Sequence, residues 1–254
     1  MLLLPPLLAL ADEAGRSILA ARALGLGAAT KPDGSPVTEA DRIAERLIID
    51  GLTTLTPGIP VVAEESRSDS APADSIGALF WLVDPLDGTR ELLAGRDEFT
   101  VNIALIIDRR PVLGVVTAPA LDRAWWGCAG QGSCRRTAQT TQTIRARRAP
   151  PGGIVACASR SHRDPTTEAW LTERGITRIN AIGSSLKFCL IAQGEADVYP
   201  RFGRTMEWDT AAGHAILAAA GGRVETLDGA SLTYGKAGYV NPPFVAFGAA
   251  GATC

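Results

Sequence analysis

Two carboxylates three residues apart, Asp84 and Asp87, close an apolar run, Phe80-Trp81-Leu82-Val83. The run reads as a buried strand. Pro85 fixes its own φ and pushes Asp84 toward extended geometry. Gly88 permits a backbone conformation that a Cβ disfavours. This pattern predicts Asp84 at a strand end and Asp87 on a turn, with convergent carboxylates and the Leu86 carbonyl between them. Carboxylates and carbonyls are the ligands that Mg²⁺ prefers. Acids held this close repel unless a cation or a shared proton relieves the charge. The plain alternative is a strand followed by a polar turn, since Asp, Pro and Gly are common turn residues.

Further acids fall at element ends. Ile59 to Ala63 reads as a short strand that stops at Glu64-Glu65. A lone Glu pair is solvated surface, but two strand ends delivering acids to one place build a crevice. Asp41 is the third residue after Thr38, in a capping-box pattern. It is either a first-turn acid favoured by the helix dipole or an acid that orients a catalytic water. Asp209 sits at the start of a helix running from Glu207, where an isolated Asp is commonly an N-cap.

A second set of residues suits an anion. Gly183-Ser184-Ser185 opens a helix over 186–192, and free N–H groups at such a start attract anions. Lys187, one turn in, adds charge; for Ser184 the alternative is a simple N-cap. Arg201 follows a strand at 196–199. His162 follows a strand in a basic loop and is the better anion ligand of the two histidines. His214 lies inside an Ala-rich helix and reads as a packed core residue.

The elements that must position these groups are legible from their periods. Leu7, Leu10, Ala11, Ala14, Ile18 and Ala21 give an amphipathic first helix ended by Gly25 and Gly27. A turn-rich loop, Thr30 to Pro36, has the character of a mobile flap. Ala40, Ile43, Ala44, Leu47, Ile48 and Leu52 make the apolar face of a second helix. Thr100 to Ile107 and Val112 to Thr117 read as strands joined at Asp108-Arg109-Arg110, with further β-like pieces near Trp125-Trp126 and Thr143-Ile144. Arg145, Arg147 and Arg148 read as a solvated strand edge. Composition changes at Ala149 to Gly153. We therefore expect an N-terminal α+β lobe over 1–150 carrying most of the acids, and a C-terminal α/β lobe over 151–254 carrying Asp209 and the anion-binding set.

The totals exclude several classes. The chain has 254 residues, 46% hydrophobic and 20% charged, a globular profile with ample core. A net charge of −2 gives no basic excess for nucleic acid. The five cysteines form no C-x-x-C pair and are odd in number, so reduced thiols are expected rather than disulfides or zinc. The apolar opening, residues 1–8, lacks a basic flank and contains two prolines, unlike a signal peptide. No stretch has the length and apolarity of a membrane span.

Taken together, Trp81-Leu82-Val83-Asp84-Pro85-Leu86-Asp87-Gly88-Thr89, Trp208-Asp209-Thr210-Ala211-Ala212-Gly213 and Glu64-Glu65 resemble the inositol monophosphatase superfamily of Mg²⁺-dependent, Li⁺-sensitive phosphatases. Within it the chain is similar to the bacterial CysQ-type branch, the 3′(2′),5′-bisphosphate nucleotidases. That likeness rests on Gly34 to Thr38, Glu98 to Ala104, Gly183 to Cys189 and Tyr199 to Gly203. Arg90 stands where a lysine is common, and Leu92 replaces an aromatic.

The resemblance implies an α/β fold, a layered αβαβα sandwich of the sugar-phosphatase type. It implies that Glu64, Asp84 and the Leu86 carbonyl hold one Mg²⁺, that Asp84, Asp87 and Asp209 hold a second, and that Glu65 lies near a weaker third. It assigns Thr89 and Asp41 to the attacking water, and Gly88, Thr89, His162, Ser184, Lys187 and Arg201 to the substrate. The implied substrate is a small adenosine bisphosphate. The implied protein is cytoplasmic and a monomer or homodimer, with peripheral contact at the inner membrane left open. The alternatives are an inositol or sugar phosphate phosphatase and a catalytically silent nucleotide-binding regulator.

Overall fold

The computed structural model describes residues 2–25, 27–30, 36–66, 76–150, 153–161 and 164–250. Helix α1 (Leu4–Leu24) leads through strands β1 (Ala28–Thr30) and β2 (Pro36–Thr38), an antiparallel pair, into helix α2 (Glu39–Leu55). The expected flap falls largely on residues 31–35, outside the described residues. Then come β3 (Val61–Ala63), β4 (Leu79–Asp87), the short helix α3 (Thr89–Leu93), β5 (Thr100–Ile107), β6 (Arg110–Ala118), β7 (Arg123–Cys128), β8 (Gly132–Thr137) and β9 (Thr141–Ile144). Strands β3 to β9 form one sheet in sequence order, with β3 parallel to β4 and every later pair antiparallel. The rest is β10 (Val155–Ser159), α4 (Pro165–Glu173), β11 (Arg178–Ile182), α5 (Leu186–Ala192), β12 (Val198–Arg201), α6 (Trp208–Ala219), β13 (Arg223–Thr226) and β14 (Phe244–Phe247). These strands make a second sheet in the order β11-β10-β12-β14-β13.

The layers follow from side-chain parity along the strands, because alternate residues face opposite sides of a sheet. In β4, Trp81 and Val83 join Leu7, Leu10, Ile18, Ile48 and Leu52 of α1 and α2. Their neighbours Phe80 and Leu82 join Leu186, Phe188, Ile191 and Ile216 of α5 and α6. The second sheet repeats the pattern. Val155, Cys157 and Tyr199 face α5 and α6, whereas Ala156, Val198 and Val245 pack with Leu171 of α4. The result is the αβαβα sandwich, with α5 and α6 buried between two sheets. That burial explains why α6 is apolar nearly all round.

Three local expectations need correction. Strand β4 does not stop at Asp84. It runs through Pro85 and Leu86 to Asp87, and the pairing shifts from Asp84↔Asn102 to Asp87↔Thr100, so β4 carries one extra residue there. This is a β-bulge, the one interior setting that tolerates a proline without a ladder N–H. The β5–β6 connection is tighter than expected, with Asp108 and Arg109 both at positive φ (47° and 65°). That is the two-residue hairpin whose twist suits the flanking strands. Finally, Arg147 is not merely solvated: its guanidinium forks onto the buried Asp197 at 2.8 and 3.0 Å.

The middle layer is tight enough to dictate glycine. A Cβ on Gly114 of β6 would lie 2.4 Å from the Ala212 carbonyl oxygen of α6 and 2.9 Å from the Ala215 Cβ. Backbone cannot move aside as a flexible side chain does. Gly114→Ala should therefore cost about 1–3 kcal/mol of stability by overpacking, read as a lowered midpoint in urea with unchanged slope.

Candidate active site

The acids converge because three element ends meet at one cleft. Glu64 follows β3, whose partner is β4, and its N–H donates to the Val83 carbonyl at 3.2 Å. That contact sets Glu64 beside Asp84. The bulge of β4 brings Asp84, the Leu86 carbonyl and Asp87 to the same side, and Asp84 accepts from the Leu86 N–H at 3.0 Å. Asp209 arrives from the other half of the sandwich, on the first turn of α6. Its carboxylate accepts from the Met206 N–H at 2.8 Å, while Glu207 holds the N-cap position. Glu64, Asp84, Leu86, Asp87 and Asp209 all line this cleft, as do Gly88 and Thr89.

Their electrostatics record the crowding. Burial pushes the Asp84 carboxyl well above the ordinary range, and the charges of Glu64, Asp87 and Asp209 push it further. Asp209 is raised by burial and then by Asp87 and Glu64, against the Met206 hydrogen bond. Asp87 is raised to about 6 by burial, although Lys187 and a hydrogen bond from the Ser185 N–H pull the other way. Among the described residues no three His, Cys, Asp or Glu side chains already stand close enough together to hold a metal ion. The acids' donor chemistry fits a hard divalent cation, since every donor is oxygen and the set is strongly anionic.

Comparison with known proteins gives this arrangement a family. The family model for the inositol monophosphatase family matches residues 4–249. The chain belongs to the inositol monophosphatase family. It is similar to the 3′(2′),5′-bisphosphate nucleotidase CysQ of Salmonella typhimurium, at 46% identity over 220 residues, covering 85% of this chain and 87% of the relative. It is equally similar to CysQ of Escherichia coli K12, at 45% identity over 216 residues, with 85% and 86% covered. Among solved structures it is similar to CysQ from Bacteroides thetaiotaomicron, a bacterial member of the family, with a TM-score of 0.81, 35% identity and 94% of both chains covered. An IMPase from Thermotoga maritima gives a TM-score of 0.81 at 26% identity, with 97% and 92% covered.

The water-orienting pair expected of a family member is brought together. The Thr89 hydroxyl lies 3.1 Å from the Asp41 carboxylate and 3.2 Å from the Leu86 carbonyl. Asp41 is buried and is held in turn by the Thr38 N–H and hydroxyl at 2.7 and 2.6 Å. Its capping role and its contact with Thr89 therefore coexist. Glu65 is placed differently: its side chain does not line the cleft, and its N–H donates to the buried Glu45 carboxylate at 2.7 Å.

The anion-binding set is gathered in the same cleft. Ser184, Lys187 and Arg201 are buried and line the same cleft; His162 lies outside the described residues. Ser184 is not the N-cap. It takes a left-handed conformation at φ 50°, and Ser185 occupies the cap. Lys187 turns back along its helix, its ammonium donating to the Ser184 and Ile182 carbonyls. Burial lowers its pKa while the Asp87 charge supports the ammonium form. His214 is buried against the Tyr234 hydroxyl at 3.0 Å, as a core histidine.

Sequence reasoning did not single out Glu91, a buried acid that lines the cleft. The available signal was its place two residues beyond Thr89 in the same motif.

The Thr89–Asp41 contact yields a direct expectation. Thr89→Val keeps the volume and removes the hydroxyl. Turnover should fall on the order of 10²-fold, the lower range for losing a group that handles a proton. Mg²⁺ affinity by calorimetry should stay near wild type, because neither Thr89 nor Asp41 is among the proposed metal donors.

Proposed function

We propose that this chain is a Mg²⁺-dependent 3′(2′),5′-bisphosphate nucleotidase. Its reaction is hydrolysis of the 3′-phosphate of 3′-phosphoadenosine 5′-phosphate, giving AMP and phosphate. The same cleavage of 3′-phosphoadenosine 5′-phosphosulfate gives adenosine phosphosulfate and phosphate. The 3′(2′),5′-bisphosphate nucleotidase activity named for the CysQ relatives supports the class. The observation that carries it here is one cleft lined both by the acids Glu64, Asp84, Asp87 and Asp209 and by the buried cations Lys187 and Arg201. A substrate with one phosphate to cleave and one to hold matches that polarity.

In this reading residues 1–150 and 151–254 act as two lobes that together line the cleft. Glu64, Asp84, the Leu86 carbonyl, Asp87 and Asp209 would hold two Mg²⁺. The bound ions supply Lewis-acid activation of water and relief of the charge developing on the leaving oxygen. Asp41 accepts a hydrogen bond from the Thr89 hydroxyl, which leaves the Thr89 oxygen free to accept one from the attacking water and fix its orientation. The Gly88 backbone, left-handed at φ 99°, lets the chain turn under the reacting phosphate. Ser184, Lys187, Arg201 and His162 contact the nucleotide and its retained phosphate. Two of the three Lys187 protons go to backbone carbonyls, and the third is available to a substrate oxygen.

A phosphate-release assay over bisphosphate nucleotides, inositol monophosphate and sugar phosphates tests this reading. The bisphosphate nucleotides should show the highest kcat/KM. Lys187→Ala should lower kcat/KM for 3′-phosphoadenosine 5′-phosphate by about 1.5–3 kcal/mol, the scale of a hydrogen bond to a charged group. The loss for a monophosphate should be much smaller. Equal losses for both would make Lys187 structural and remove the support for the retained-phosphate contact.

A further inference from the structure

Glu91 sits at a knot of contacts between the catalytic turn and two loops of the second sheet. It is only 4% exposed. Its carboxylate accepts a hydrogen bond from the Ser161 hydroxyl at 2.6 Å, just past the end of β10. Its Cγ and Cδ lie 2.7 and 2.9 Å from where a Cβ on Gly183 would be, so the glycine is required for Glu91 to cross there. A second acid grips the same two loops. Glu98 forks onto Arg160 at 3.0 and 2.7 Å and accepts from the Gly183 N–H at 3.0 Å. Consecutive residues Arg160 and Ser161 are thus each held by an acid from the first sheet's side, and both acids meet at Gly183. Ser184, the next residue, lines the same cleft as the acids.

We propose that Glu91 is a positioning residue that sets substrate affinity by holding the Arg160-Ser161 and Gly183-Ser184 loops against the bulged end of β4 that carries Asp84 and Asp87. One of its carboxylate oxygens accepts from Ser161, and its stem occupies the space beside Gly183. Its charge also acts on Asp87 and Lys187, and the glutamine variant, which keeps the Ser161 contact and removes the charge, separates that effect from the hold on the loops. A side chain that closes a cleft wall in this way changes KM, whereas a group acting on the reacting phosphate changes kcat. The inference rests on the bisphosphate nucleotidase reading for the identity of the substrate.

The test is steady-state kinetics with 3′-phosphoadenosine 5′-phosphate on wild type, Glu91→Ala, Glu91→Gln, Ser161→Ala and the Glu91→Ala/Ser161→Ala pair. Circular dichroism establishes folding. Glu91→Ala and Ser161→Ala should each raise KM by about tenfold and change kcat by less than about threefold, the scale of one strong hydrogen bond. Glu91→Gln retains an oxygen that accepts from Ser161 and should recover most of the loss. The double variant should be little worse than Glu91→Ala alone, because both changes break one contact. A fall in kcat at unchanged KM, fully additive single effects, or no rescue by glutamine would each overturn the proposal. If Glu91→Ala does not fold, Glu91→Gln and the exposed Ser161→Ala still decide between these outcomes. Wild type that ignores the bisphosphate nucleotide but cleaves another monoester would instead sink the nucleotidase reading. The KM comparison would then be read on that monoester.

Discussion

The structure depends on one costly interaction, the mutual repulsion of Glu64, Asp84, Asp87 and Asp209 in a buried cleft. Burial and neighbouring charge raise Asp84 and Asp209 strongly and Asp87 to about 6. Groups whose folded pKa is raised oppose folding once they ionise, so without a counter-ion this cluster works against the fold at neutral pH. The fold offsets the repulsion only in part. Backbone N–H groups of Leu86 and Met206 donate to Asp84 and Asp209, and Lys187 and the Ser185 N–H favour the charged form of Asp87. In the proposed function divalent cations would complete the neutralisation, and such ions are also what phosphoryl transfer needs. The electrostatic cost in the metal-free state and the catalytic power thus come from one arrangement.

Holding such a cluster requires rigid surroundings. The αβαβα stacking supplies them, because α6 is clamped between two sheets and presents Asp209 to the bulge of β4. The close approach of Gly114 to the α6 backbone shows how little slack that placement has. The first turn of α6 is tied further by Glu207, which is fully buried and bonded to the Gly235 and Lys236 N–H groups and to the Lys236 ammonium. Asp209 is therefore fixed from both sides of the cleft wall.

Much of this was legible in the sequence, for identifiable reasons. The helix faces of α1 and α2 and the apolar runs of β5 and β6 are local patterns, and local patterns survive into the fold. The four acids were legible because each falls at or near an element end within a compact motif. What was not legible was set by long-range contacts. The bulge at Asp84–Asp87 needs the partner strand β5 to define it. The fork from Arg147 to Asp197 joins residues fifty apart, so Arg147 resembled any edge arginine. Lys187 appeared in the sequence only as a charge near a helix start; its turn back onto backbone carbonyls depends on the left-handed Ser184. Glu91 was hidden because its partners, Ser161 and Gly183, come from the other half of the chain.

The central claim is that the four carboxylates form a self-repelling site that divalent cations relieve. Thermal unfolding of the wild-type chain and Asp84→Asn at pH 8, each with EDTA and with saturating Mg²⁺, tests it most directly. Asn retains an oxygen for the Leu86 N–H, so the change removes charge and little else. The account predicts that the variant melts above wild type in EDTA. It also predicts that Mg²⁺ raises the wild type by much more, so that the order reverses. A variant that melts below wild type in EDTA, or equal Mg²⁺ stabilisation of both proteins, would contradict it.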